Sequence, residues 1–99
     1  MGRDDPMAGF DPVFHQPVRL QVAAVLSNAQ DAEFSRLRDI AGVADSVMSK
    51  HLSALAEAGY VTLRKSAIDG RQRTWAVLTP AGRKAFAAHV EALKRLAGA

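Results

Sequence analysis

Between residues 43 and 73 the chain carries two groups of polar side chains whose types and spacing suit contact with a polyanion. The first is Ser46, Ser49, Lys50, Ser53 and Glu57, which recur at the intervals that place residues on one side of a helix. Met48, Leu52, Leu55 and Ala56 form an apolar stripe on the other side, with His51 beside it. The outward face is small, hydroxylated and carries one lysine. An ordinary solvated helix face more often bears Glu, Gln, Lys and Arg, which are better helix formers than serine. Short polar groups around one cation permit another surface to come close, and their hydroxyls can meet phosphate oxygens or base edges. Lys50 can reach a guanine edge or a phosphate, and both remain open at this stage. The second group is Arg64, Lys65, Arg71, Gln72 and Arg73, arranged around Asp69-Gly70. If that stretch is extended, Arg71 and Arg73 point to one side and Gln72 to the other.

The charge distribution supports the same reading. The 99 residues carry a net charge of +3. Residues 1–16 sum to −2, residues 17–42 to zero and residues 43–60 to −1, whereas residues 61–82 and 83–99 each sum to +3. A basic segment of this kind favours a polyanionic partner such as nucleic acid. A hydrophobic content of 48% with 23% charged residues is that of a folded domain.

Other chemistries have little to stand on. Cysteine is absent, which removes disulfides, thiolate metal sites and cysteine catalysis. The three histidines, His15, His51 and His89, lie far apart in the chain, and only Glu91 stands near one of them. His51 reads as a packed, hydrogen-bonded residue, and no metal or other cofactor is expected. There is no Gly-rich phosphate loop, no nucleophile–base pair in a recognisable setting and no paired acids, so an enzyme is not expected. No apolar run approaches the length of a membrane span and no signal-peptide pattern opens the chain. A cytoplasmic protein without a membrane partner is the expectation.

The elements that must position these groups follow from local signals. Residues 1–13, rich in Gly, Pro and Asp, read as a flexible lead, with Phe10 and Phe14 available for docking. Pro17 opens a helix to about Ser27 whose apolar surface, including Val18 and Val22, is broad enough for a core and a dimer contact. Ala32-Glu33-Phe34 reads as a short extended segment, and Ser35 as the N-cap of a helix ending at Ala41-Gly42. The central helix covers about residues 45–58. Tyr60–Lys65 and Thr74–Leu78 read as the strands of a hairpin whose loop spans about residues 66–73, with a turn at Asp69-Gly70. Thr79-Pro80 starts a last helix running to about Ala97, which offers Phe86, Val90, Leu93 and Leu96 for packing or dimerisation. The fold class is therefore α+β, mainly α, with residues 14–97 forming one domain. In that arrangement the central helix can enter the DNA major groove, about 12 Å wide, while the basic hairpin reaches phosphates or the adjacent minor groove.

These residues resemble a known family. His15–Leu20, Ser49–Leu55, Glu57–Val61 and Leu78–Arg83, in this order and spacing, look like the winged helix-turn-helix transcriptional regulators of the MarR and ArsR type. The small MarR-like bacterial group, little more than the winged-helix domain itself, is the best match, and the likeness covers about residues 14–95. It implies a homodimer that binds double-stranded DNA at a pseudo-palindromic operator and usually represses transcription. Carried over by position, Asp45, Ser46, Val47, Ser49, Lys50 and Ser53 fall on the DNA side of the recognition helix. Arg71 and Arg73 fall in the wing, with Asp69 matching an acidic residue that braces a wing arginine. Relatives often have Ser or Thr where Ala44 stands, so Asp45 or Ser46 is expected to cap the helix. Two other readings stand beside this one. A protein-interaction winged helix need not keep a basic wing, and an ArsR-type metal sensor needs ligands that Arg36-Leu37-Arg38-Asp39 does not supply. Any small-molecule effector would sit between the DNA-binding region and the dimer helices.

Overall fold

The proline that opens the first long helix also sets its direction. Pro17 has no N–H to leave unsatisfied and a φ already helical, and α1 (Pro17–Ser27) begins on it. The structure, a computed structural model, describes residues 7–98. A two-residue strand β1 (Ala32–Glu33) follows α1, then α2 (Phe34–Ala41) and α3 (Asp45–Glu57). Gly42 takes a left-handed conformation (φ 67°) and donates its N–H to the Arg38 carbonyl at 2.9 Å, which closes α2. Only residues 42–44 separate α2 from α3, giving a helix-turn-helix. Strands β2 (Val61–Ile68) and β3 (Arg71–Leu78) form the hairpin, and α4 (Pro80–Leu96) ends the described chain. Thr79 caps α4 by accepting the Gly82 N–H at 2.9 Å, and its own hydroxyl donates to the Gly59 carbonyl at 2.7 Å.

The three strands are antiparallel in the order β1-β3-β2. The hairpin is longer and tighter than expected. Its strands continue through Ile68 and from Arg71, leaving Asp69-Gly70 as a two-residue turn in place of the loop expected over 66–73. Both turn residues have positive φ, 52° and 74°, the combination a two-residue type I′ turn requires. The core gathers Phe14, Val22, Leu26, Leu37, Met48, Leu52 and Leu55 against Val61, Ala76 and Leu78. Full burial of each large side chain among them contributes about 1.5–3 kcal/mol.

Several local expectations are corrected. Residues 1–6 of the expected flexible lead lie outside the described residues, but residues 7–13 pack on the domain. Asp11 starts a 3₁₀ turn over Pro12–His15, and its carboxylate accepts the Val13 N–H and the Tyr60 hydroxyl. Its own N–H donates to His89 Nδ1 at 3.0 Å, and Arg95 donates to the Ala8 carbonyl at 2.6 Å. Composition could not show this, because the docking depends on Asp11 meeting Tyr60, just before β2, and His89 of α4, both far away in the chain. Ser35 is not a cap: α2 starts one residue earlier, with Glu33 at its N-cap position. Ala44 is the N-cap residue of α3, and neither Asp45 nor Ser46 caps it. Val22, expected also at a dimer face, is 1% exposed and belongs to the core. No helix among the described residues is long and apolar enough to cross a membrane.

Candidate nucleic-acid interface

The apolar stripe of α3 is anchored as its spacing predicts: Met48, His51, Leu52 and Leu55 are buried. That anchoring leaves Asp45, Ser46, Val47, Ser49, Lys50 and Ser53 on the exposed side of the helix. Val47 is the one apolar group in this set and is 38% exposed. Asp45 is not a bare negative charge, because Arg38 of α2 reaches it at 2.9 Å and also bridges Asp39 at 3.0 Å. The hydrogen bond to Asp45, then that to Asp39, holds the Arg38 guanidinium more firmly protonated than usual. His51 is packed, but its buried Nδ1 has no hydrogen-bond partner among the described residues, contrary to the expectation of a hydrogen-bonded ring. Burial first, then the charges of Arg19 and Lys50, lower its pKa and keep it neutral.

Strand register divides the wing residues between two faces. Lys65 lies opposite Thr74, and both turn toward α3 with Leu63. Gln72 shares that face two residues along β3. Arg64 lies opposite Trp75, Ser66 opposite Arg73 and Ile68 opposite Arg71, so the three wing arginines share the other face. Two of them are held. Arg64 reaches Asp31 at 3.2 Å, and Arg73 reaches Glu33 at 2.8 Å. Asp69, expected to brace a wing arginine, makes no ion pair among the described residues; Glu33 of β1 takes that part for Arg73. The turn at Asp69-Gly70 is too tight for Asp69 to fold back on Arg73, four residues along the opposing strand. Lys65 and Arg71 carry no ion pair among the described residues and are exposed, as is Gln72. The sequence concealed the bracing acids because Asp31 and Glu33 join the wing only through the β1–β3 pairing. Arg38, likewise missed, meets Asp45 across the turn between α2 and α3.

The remaining predicted residues distribute unevenly. Val18 and Phe86 pack against the core from partly buried positions. Val90 is half-buried, while Leu93 and Leu96 stand exposed at the end of α4, at 38% and 66%. His15 and His89 face each other with ring centroids 5.7 Å apart. Among the described residues no group of three or more His, Asp or Glu is placed to hold a metal ion. One concavity, of about 510 Å³, is bounded by Val25, Asp31, Glu33, Arg36, Ile40 and Trp75. It lies between the end of α1, which supplies Val25, and β1 and α2.

A buried-backed helix following a short turn, flanked by a basic hairpin, is the layout of a winged helix. The family model of the winged helix DNA-binding domain matches residues 18–97. The chain belongs to this family. An uncharacterized protein of Methanocaldococcus jannaschii is 32% identical to this winged helix protein over 84 residues, 85% of this chain and 91% of that one. Among solved structures, a transcriptional regulator homologue from Pyrococcus horikoshii superposes with a TM-score of 0.81 at 24% identity, covering 87% of this chain and 85% of the other. AbsC, a MarR family transcriptional regulator from Streptomyces coelicolor, superposes with a TM-score of 0.65 at 22% identity, covering 78% of this chain and 55% of that one. The winged helix-turn-helix here is therefore MarR-like in fold, α+β and mainly helical.

Proposed function

We propose that this winged helix protein is a sequence-specific transcriptional regulator that binds a pseudo-palindromic operator as a homodimer and acts as a repressor. The observation that carries the reading is the exposed row of Ser46, Ser49, Lys50 and Ser53 on a buried-backed helix, next to a wing whose Lys65 and Arg71 have no ion pair among the described residues. In this reading α3 lies in the major groove, where Ser, Lys and the apolar Val47 can meet base edges. The wing tip, with Arg71 and Gln72, lies against phosphates of the adjacent minor groove. Leu93 and Leu96, continued by Val90, Phe86 and Val18, supply the dimer contact, since a two-fold operator calls for a two-fold protein.

Selection of duplexes from a random pool by the purified protein tests this directly. The expected result is an enriched inverted repeat, with half-sites one helical turn apart or a multiple of it, bound by a dimer in sedimentation. Absence of any enriched sequence, with binding to duplex DNA no stronger than to heparin, rejects the reading.

A further inference from the structure

Four residues with side-chain donors line a cavity of about 210 Å³ between α3 and the wing: Ser49 and Ser53 from the helix, Lys65 and Thr74 from the strands. Phe34, Leu52 and Leu63 complete its lining. We propose that this cavity is the seat of one DNA phosphodiester, in the strand that separates the groove entered by α3 from the groove beside the wing. The proposal rests on the DNA-binding reading above and names the group that α3 and the wing grip together.

The arrangement is built from two facing pairs. Ser49 and Ser53 are four residues apart on one helix and so stand one above the other on the same side. Lys65 and Thr74 are direct partners across the β2–β3 ladder, so their side chains stand side by side on the face toward α3. The lining residues therefore bring three hydroxyls and one ammonium to the cavity, and none of them carries a carboxylate. That set matches a monoanion with several acceptor oxygens.

Availability separates these groups from the other wing cations. None of the four side chains makes a hydrogen bond or an ion pair among the described residues, whereas Arg64 and Arg73 on the opposite face are held by Asp31 and Glu33. The apolar floor strengthens the case. Leu63 is 39% exposed and Phe34 is partly buried, so hydrocarbon borders the donors, limits water on that side and strengthens charge-assisted hydrogen bonds. The same floor offers contact area to a deoxyribose ring. Groove geometry supplies the ligand. A helix in the major groove and a hairpin at the neighbouring minor groove must straddle one sugar–phosphate strand, and the cavity lies at the crossing.

The test uses the full chain and a duplex that it has itself selected from a random pool, with single phosphates replaced in turn by neutral methylphosphonates. In the wild type, neutralising the phosphate at this seat, one position per half-site, is expected to cost affinity in addition to the cost at the phosphates that Arg71 meets. In Lys65→Gln, affinity falls roughly tenfold and the slope of log K against log salt falls by about 0.9. In Thr74→Val, which keeps the shape and the β-branching, affinity falls about two- to tenfold with the slope unchanged. In both variants the methylphosphonate at the seat loses its effect while the other sensitive positions keep theirs, and Arg64→Gln leaves the seat position as sensitive as in the wild type. Circular dichroism establishes that each variant is folded, and Ser53→Ala supplies a readout from the helix side if a strand variant is not. If the wild type binds no duplex, the DNA reading itself fails. If it binds and the variants keep its slope and its methylphosphonate profile, the seat alone is overturned. Inorganic phosphate that shifts the Thr74 amide resonance without any variant changing duplex binding also overturns it, leaving a site for free phosphate only.

Discussion

Gly82 sits where α4 passes the start of β2, and replacing it with alanine sets two opposite effects against each other. In an open helix the change would stabilise by about 1 kcal/mol, because alanine is the better helix former. Here an added Cβ would lie 2.2 Å from the Tyr60 carbonyl oxygen and 2.9 Å from Leu78 Cδ1. The first contact is backbone, and a side-chain rotation cannot relieve it. Either α4 or the Tyr60 peptide must move by about an ångström, and overpacking of this kind typically costs about 1–3 kcal/mol or more. The same carbonyl accepts the Thr79 N–H at 2.9 Å, so displacing it also weakens a bond worth about 1 kcal/mol. The net expectation for Gly82→Ala is a loss of about 1–3 kcal/mol, a Tm lower by roughly 5–15 °C for a domain of this size. Thermal unfolding followed by circular dichroism measures it, with Ala81→Gly as the companion on the exposed side of the same turn. A Gly82→Ala Tm equal to or above that of the wild type would refute the reasoning. It would mean that helix propensity outweighs the contact with Tyr60.

Three further outcomes follow from the described contacts. His89 Nδ1 accepts the Asp11 N–H, and burial, then His15, lowers the His89 pKa below its unfolded value of about 6.5 while Asp11 opposes. Its contribution to stability is therefore full above about pH 6.5 and lost as pH falls through the lower folded value. Urea midpoints from pH 7.5 to 4.5 should fall less steeply for His89→Phe than for the wild type, and parallel curves would remove His89 from the account. On a selected duplex, Arg71→Ala should lower the salt slope by about 0.9, and Arg73→Ala by less because Glu33 already neutralises Arg73. Equal losses would show that Arg73 leaves Glu33 on binding. Leu93→Glu or Leu96→Glu should yield monomers in sedimentation with a stability change within about 0.5 kcal/mol, since both side chains are exposed. A dimer in both variants would place the interface elsewhere.

The sequence made the outward face of α3 legible because that face depends on a local period. The buried stripe at Met48, Leu52 and Leu55 fixes which residues face outward, and no distant partner is needed to know it. Gly42, the Asp69-Gly70 turn and Thr79-Pro80 were legible for the same reason, since their backbone demands sit within three or four residues. What stayed hidden depends on register or on docking. Asp31 and Glu33 look like loop acids until β1 pairs with β3 and brings them to Arg64 and Arg73. Thr74 looks like an ordinary strand residue until its pairing with Lys65 turns it toward α3. Asp11 and Ala8 read as a loose lead because the groups that hold them, His89, Tyr60 and Arg95, lie 49 to 87 residues away.

The ion pairs change which charges count toward DNA. By residue type the wing offers Arg64, Lys65, Arg71 and Arg73, while α3 offers Lys50 against Asp45 and Glu57. Arg64 and Arg73 are compensated by acids of the same sheet, and Asp45 by Arg38 from the preceding helix. Lys50, Lys65 and Arg71 remain as cations without ion-pair partners among the described residues on α3 and the wing. Neutralising Asp45 matters most, because it stands in the first turn of α3, where the helix dipole and free N–H groups favour an approaching phosphate. An unpaired carboxylate there would repel the strand that those groups attract. Arg38 thus does for the start of α3 what a serine or threonine cap could not, since a cap would satisfy an N–H but leave the charge of Asp45 in place. On the proposed reading, the contact that links α2 to α3 also makes the start of α3 electrostatically fit for a phosphate.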